Sequence, residues 1–111
     1  MTELPLKPVA WRGSSLTDLK DQREAIRNEL GHQLFRVQMG LAPQNFKPLP
    51  EVGAGTIEIR VKDEDGIARL MYVAKFRDEI NVLHVFTKKS QRTPKSDIDL
   101  AKTRYREAKN G

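Results

Sequence analysis

The sequence predicts an α+β fold, with N-terminal helices packed on an antiparallel sheet of three or four strands and a C-terminal helix at the end. Three observations carry that reading. Between Thr56 and Pro94 apolar residues recur at alternate positions in three successive runs, the period of a half-buried strand. Between Leu16 and Val37 they recur at intervals of three, four and seven, the period of one helical face. A narrower helical stripe follows Pro94.

The strand runs come first because the rest of the chain is organised around them. Ile57, Ile59 and Val61 alternate with Glu58, Arg60 and Lys62. Leu70, Tyr72, Ala74 and Phe76 alternate with Arg69, Met71, Val73 and Lys75, and Leu83 and Val85 alternate with His84, Phe86 and Lys88. Asp63-Glu64-Asp65-Gly66 has the acidic-plus-glycine chemistry of a hairpin turn, and Arg77-Asp78-Glu79 supplies a second. Placing Ile57, Ile59, Val61, Leu70, Tyr72, Leu83 and Val85 inward leaves Arg60, Arg69 and Lys88 on the opposite side. The expectation is an antiparallel meander with one apolar face and one cationic face.

Upstream, Lys7 to Trp11 is rich in strand formers and suits an edge strand, where Pro8 is tolerated. Ser15 reads as a helix cap, with Asp18 favourably placed at the positive end of the helix dipole. Leu16, Leu19, Ile26, Leu30, Leu34 and Val37 form the apolar face, and the gap at Gln22 and Arg23 divides a short helix from a longer one. Gly31 allows a bend, while Gly40 and Pro43 stop the helix. Residues 41–55 hold enough Pro and Gly to read as an irregular connector, pinned to the core by Phe46, Leu49 and Val52. After Pro94, Ser96 reads as the cap of a last helix. Ile98, Ala101, Tyr105 and Ala108 form its buried stripe, and Lys102, Arg104, Arg106 and Lys109 face out.

At 111 residues the chain has the length of one domain, spanning 1–111. It is 38% apolar and 32% charged, the balance of a soluble globular protein. No apolar run approaches the roughly 20 residues of a membrane span, and Met1 to Pro5 lacks the basic-then-apolar pattern of a secretion signal. Cysteine is absent, which excludes disulfides and thiolate metal sites and fits a cytoplasmic location. A net charge of +5 favours acidic partners, either nucleic acid or an acidic protein segment.

The usual catalytic templates do not fit. His32 and His84 lie on different elements with no metal-site spacing, and Gly53-Ala54-Gly55 precedes a strand rather than opening a helix. No metal or cofactor is expected. What remains is a set of cations on one sheet face: Arg60, Lys62, Arg69, Lys88 and Lys89, with Arg92 nearby. Such groups hold a phosphodiester by charge-assisted contacts and stabilise the extra negative charge of a pentacoordinate phosphorane. RNA brings its own nucleophile, the 2′-hydroxyl, so alignment and proton removal complete the requirement. Each residue also has a plainer reading. Lys62, Lys88 and Lys89 fit a solvated sheet face, Arg69 a hairpin flank, and His84 a packed side chain. Phe86 and Met71 suit either base stacking or contact with a covering helix, and Glu58 and Glu51 read as structural.

Several blocks stand in order: Glu58-Ile59-Arg60-Val61, then Ala68-Arg69-Leu70-Met71-Tyr72, then Val82 to Phe86 with Lys88, Lys89, Arg92 and Pro94, then Asp97 to Arg104. In that order they resemble the phage-derived branch of the RelE/HigB toxins of type II toxin–antitoxin systems. Gly13-Ser14-Ser15-Leu16, Lys47-Pro48-Leu49 and Gly53 extend the resemblance over nearly the whole chain. It implies a small basic toxin that stops translation by cutting mRNA on the ribosome and is neutralised by a partner antitoxin. It also implies that Arg60 and Arg69 bind and activate the scissile phosphate, helped by Lys88 or Lys89. Lys62, Phe86, Lys89 and Arg92 would then contact the RNA.

The chain departs from better-understood toxins of this kind. No Tyr follows the last strand as in RelE, and the His/Asp/Tyr/His set of some HigB toxins is missing. The general base therefore stays open between His84 and Lys88. A second reading from another class stands beside the nuclease: a non-catalytic binding protein, either a ParE-like inhibitor of DNA gyrase or an inactive toxin relative. A structural phage protein is a third.

Overall fold

In the computed structural model, which describes residues 5–111, eight elements follow one another. They are β1 (Val9–Trp11), α1 (Ser15–Lys20), α2 (Glu24–Gln38), β2 (Phe46–Pro48), β3 (Thr56–Asp63), β4 (Gly66–Phe76), β5 (Glu79–Lys88) and α3 (Lys95–Asn110). The strands form one five-stranded sheet in the order β1-β5-β4-β3-β2. The expected α+β class holds, but the sheet is larger than three or four strands and is mixed. The meander is antiparallel, while β1 pairs parallel with β5, Val9 opposite Ile80 and Trp11 opposite Val82.

The extra strand on the far side comes from the connector expected to be irregular. Phe46, Lys47 and Pro48 pair antiparallel with Ile59, Glu58 and Ile57. Pro48 is tolerated because β2 is the sheet edge, where a missing N–H faces solvent rather than a ladder. Leu49 and Val52 are buried as expected, whereas Phe46 is 43% exposed and pins nothing.

Helices cover both faces of the sheet, not one. Leu19 of α1 and Ile26, Leu30, Leu34 and Val37 of α2 pack with Ile59, Leu70, Tyr72, Val82 and Val85. On the other face Ile98, Ala101, Tyr105 and Ala108 of α3, with Leu49 and Val52, pack on Met71, Val73, Leu83 and Phe86. The expected open cationic face is therefore corrected: most of it is an apolar layer under α3. The helix stripes match the periodicity that predicts them except at Leu16, which is half-buried and outside the core, and α2 runs unbroken through Gly31.

One bulge reassigns a core residue. Met71 lies opposite His84 but Tyr72 opposite Val82, so Leu83 is an extra residue in β5. Val82 and Val85 face α1 and α2, while Leu83 joins the α3 layer; strict alternation places Leu83 beside Val85 instead. The carbonyls at the irregularity are satisfied from outside the ladder. Ser15 Oγ donates to Val82 O at 3.1 Å and Arg104 Nη1 to Leu83 O at 3.0 Å. Two expectations change with those bonds. Ser15 is buried and tethers the strand, leaving the N-cap position to Ser14, and Arg104 turns inward instead of facing out. Likewise α3 begins after Pro94, so Ser96 lies inside the helix.

Both hairpins are two-residue turns. Arg77 and Asp78 have φ of 55° and 56°, the paired left-handed geometry of a type I′ turn. At the first hairpin Gly66 has φ of 142°, and a Cβ there would lie 2.7 Å from the Lys88 carbonyl oxygen. Only glycine lets β4 begin that close to the end of β5. Arg23 ties this hairpin to the start of α2, bonding Asp63 at 2.5 Å and Glu64 at 2.9 Å. No helix among the described residues is long and apolar enough to cross a membrane.

Candidate phosphate-binding site at the end of the sheet

Strand register brings the predicted site residues into three adjacent rows on the α3 side. Glu58, Met71 and His84 form the first, Arg60, Arg69 and Phe86 the second, and Lys62, Ile67 and Lys88 the outermost. α3 covers the first row. The second is covered by the Lys89–Pro94 segment joining β5 to α3, and the third is open at Lys62 and Lys88.

The second row is an ionic cluster inside the protein. Glu58 and Arg69 are both fully buried, and Arg60 is half-buried. Arg60 Nε donates to Glu58 Oε1 at 2.6 Å, Thr93 Oγ1 donates to Glu58 Oε2 at 2.8 Å, and Arg69 Nε stands 3.8 Å from Glu58 Oε1. Two cations thus share one carboxylate. Their remaining donors reach the covering segment: Arg60 Nη2 to Gln91 O at 2.9 Å, and Arg69 Nη2 to Gln91 O at 3.1 Å and to Ser90 O. Arg69 Nε and Nη1 have no hydrogen-bond acceptor. Burial pulls the Arg69 guanidinium below its ordinary pKa, Glu58 opposes that pull, and Arg60 adds to it. An arginine starts so far above neutrality that the group stays charged.

Behind Arg69 runs a stack of rings. The Arg69 guanidinium carbon lies 5.6 Å from the Phe86 ring centre, and Phe86 stacks on His84 at 4.5 Å with the rings 21° apart. His84 Nε2 meets Asp97 Oδ1 at 2.7 Å, in the first turn of α3. Burial lowers the His84 pKa, and the hydrogen bond to Asp97 works against it. The neutral imidazole is favoured, so Nε2 is the donor to Asp97 and Nδ1, which is buried without a partner, is left as an acceptor.

Of the residues singled out in the sequence, Arg60, Arg69, His84 and Phe86 are brought together, and Lys62 and Lys88 flank them one row out. Lys89 and Arg92 lie exposed on the covering segment. Arg92 borders an open groove of about 600 Å³ with Glu51, Lys95, Asp99 and Lys102. Sequence reasoning misses the centre of the cluster. Glu58, expected only to be structural, organises both arginines, and Thr93, Asp97 and the backbone carbonyls of Ser90 and Gln91 complete it. The one legible signal is an acid sharing the strand face of Arg60. Among the described residues no group of three His, Asp or Glu side chains converges as a metal ion would require.

A family model described as phage-derived protein, Gp49-like (DUF891), matches residues 17–106. The chain belongs to that family. The match includes every side chain of the cluster, from Glu58 to Asp97, together with α2 and most of α1 and α3. Gp49-like proteins are a RelE/toxin-like family associated with the toxins of toxin–antitoxin modules. No curated protein matches the chain.

Proposed function

We propose that this Gp49-like protein is a RelE/HigB-like toxin of a type II toxin–antitoxin module that arrests translation by cutting mRNA on the ribosome. One observation carries the reading: Arg60 and Arg69, on neighbouring strands, direct guanidinium N–H groups at a single oxygen, the Gln91 carbonyl, at 2.9 and 3.1 Å. Two fixed cations converging on one oxygen are the arrangement a non-bridging phosphate oxygen requires. Family membership supports the toxin class.

In this reading the 2′-hydroxyl oxygen attacks the adjacent phosphorus, the P–O5′ bond breaks, and a 2′,3′-cyclic phosphate and a 5′-hydroxyl result. Arg60 and Arg69 stabilise the dianionic phosphorane, and Glu58 fixes where both guanidiniums point. One group must take the 2′-hydroxyl proton and one must protonate O5′. Of the two candidates for the base, burial keeps the His84 imidazole neutral and its Nδ1 without a partner, but α3 covers it, so His84 serves as the base only when α3 moves aside. Lys88, exposed in the outer row, is placed to hold the RNA backbone with Lys62, Lys89 and Arg92. Phe86 supports Arg69 from below rather than offering an open stacking face. The partner antitoxin in this reading supplies an acidic segment for the exposed cations.

The complete burial of Arg69 favours a second reading, a binding protein without catalysis, such as a gyrase inhibitor or an inactive relative. Purified protein added to a translation extract separates the two. New mRNA 5′ ends carrying a hydroxyl, absent without ribosomes, support the nuclease. Intact mRNA with loss of DNA supercoiling by gyrase supports the alternative.

A further inference from the structure

The Lys89–Thr93 segment is held over the site by only a handful of bonds. Ser90, Gln91 and Arg92 are exposed, and the segment belongs to neither β5 nor α3. Among the described residues, the hydrogen bonds that hold it down are the Arg60 and Arg69 bonds to the Ser90 and Gln91 carbonyls and the Thr93 hydroxyl on Glu58. Ser90 Oγ only bonds within the segment, to Arg92 O at 2.6 Å. A stretch with little buried surface and no ladder sits at the low-stability end of a structure.

What the segment offers the arginines is also weak for its place. Carbonyl oxygens are neutral, and they leave Arg69 Nε and Nη1 without acceptors inside the protein. Buried donors without partners are rare and costly. An anionic oxygen adds to a guanidinium bond the Coulomb attraction that a neutral carbonyl lacks, and a phosphate carries several such oxygens. The exposed Lys62, Lys88, Lys89 and Arg92 ring the same end of the sheet and raise the local concentration of polyanions.

We infer that Lys89–Thr93 is a removable cover, latched by Thr93 on Glu58, whose Ser90 and Gln91 carbonyls occupy the places that phosphate oxygens take when the site opens. The inference rests on reading Arg60 and Arg69 as the phosphate site, but it does not depend on cleavage. A ligand's phosphate opens the site by exchange: each guanidinium releases a carbonyl and gains an anionic oxygen, and Arg69 gains partners for its orphan donors. The closed form, with Arg69 sealed, is the resting state of the free protein.

The test uses the full chain and inorganic phosphate as the probe. Binding is followed through the arginine Nε–H resonances in a ¹H–¹⁵N spectrum, with Arg69 assigned by its loss in Arg69→Lys. Thr93→Val removes the latch hydroxyl and keeps the shape; it is expected to tighten phosphate binding at least five-fold, with the Arg69 resonance moving on titration. Gln91→Gly loosens the cover at an exposed position without touching Glu58, and guards against a folding defect in the first variant. It is expected to shift affinity in the same direction by less. Equal phosphate affinity in the parent and both variants overturns the cover, as does tighter binding that leaves Arg69 unmoved. Assaying mRNA cleavage on the same proteins keeps the two ideas apart. Tighter phosphate binding without cleavage sustains the cover and removes the nuclease; cleavage with unchanged phosphate affinity does the reverse.

Discussion

Arg60 and Arg69 face each other across β3 and β4 and share one counter-charge, the Glu58 carboxylate, and one hydrogen-bond acceptor, the Gln91 carbonyl. The carboxylate holds the pair in place, and the carbonyl marks the spot at which it is aimed.

Removing the shared carboxylate is expected to cost more than removing an ordinary ion pair. Glu58→Ala leaves the fully buried Arg69 guanidinium facing Arg60 with no carboxylate at ion-pair distance, so the loss should be about 3–5 kcal/mol. Replacing both members, as Glu58→Leu with Arg69→Met, should recover most of it, because a buried pair is roughly balanced against its own desolvation. Urea unfolding of the single and double variants checks this. A double-variant loss equal to the sum of the two single losses would show that the pair is not coupled.

The rim lysines and Arg92 should behave differently. Lys62, Lys88, Lys89 and Arg92 are exposed, so replacing each with Gln should change stability by no more than about 0.5 kcal/mol. Affinity for single-stranded RNA should fall, and the slope of log K against log salt should flatten by about 0.7 for each phosphate that the variant no longer neutralises. Filter binding over a salt series reads both quantities.

His84 makes stability depend on pH with a definite sign. Its folded pKa lies below its unfolded value of about 6.5, because burial opposes the charged ring. Between the two values the unfolded chain binds more protons, so the stabilising contribution is complete above about pH 6.5 and is lost as pH falls through the folded value. His84→Gln should flatten that acid-side decline in denaturation profiles measured from pH 7 downward. In the nuclease reading the same shift keeps the base neutral, so cleavage should persist somewhat below pH 6.5 and then fall.

Much of this architecture is legible in the amino-acid order alone. Period-two and helical spacing locate β3, β4, β5, α2 and α3, and the turn chemistry of Asp63–Gly66 and Arg77–Glu79 locates the hairpins. The misreadings share one cause: local patterns do not show what lies across from a residue. β2 exists only because β3 offers it an edge, and the parallel pairing of β1 is a choice made by tertiary contacts. The bulge at Leu83 adds one residue to a single strand, which reverses the face of everything on one side of it. Alternation correctly puts Arg60 and Arg69 on one face, yet it is silent on a covering segment supplied by residues 21 to 31 positions downstream. The stripe of α3 reads as buried, but the face that it covers cannot be read from it.

Packing at the far end gives one more checkable feature. A Cβ on Gly53 would run into the Tyr105 ring, whose hydroxyl donates to Ala54 O at 2.7 Å. Gly53→Ala should therefore destabilise by about 1–3 kcal/mol through overpacking, and Tyr105→Phe by about 1 kcal/mol through the missing hydrogen bond. Thermal melts of the two variants and their combination measure the coupling.

The most direct test of the central claim is induction of the chain in cells with transcript 5′ ends mapped genome-wide, alongside Arg60→Lys and Arg69→Lys. Lysine keeps the charge but loses the forked donors, so it separates guanidinium geometry from net charge. Discrete cuts within translated frames that vanish in both variants, while both proteins still accumulate as folded chains, are the predicted result. Cuts that persist undiminished in both variants, or growth arrest with every transcript intact, would contradict it.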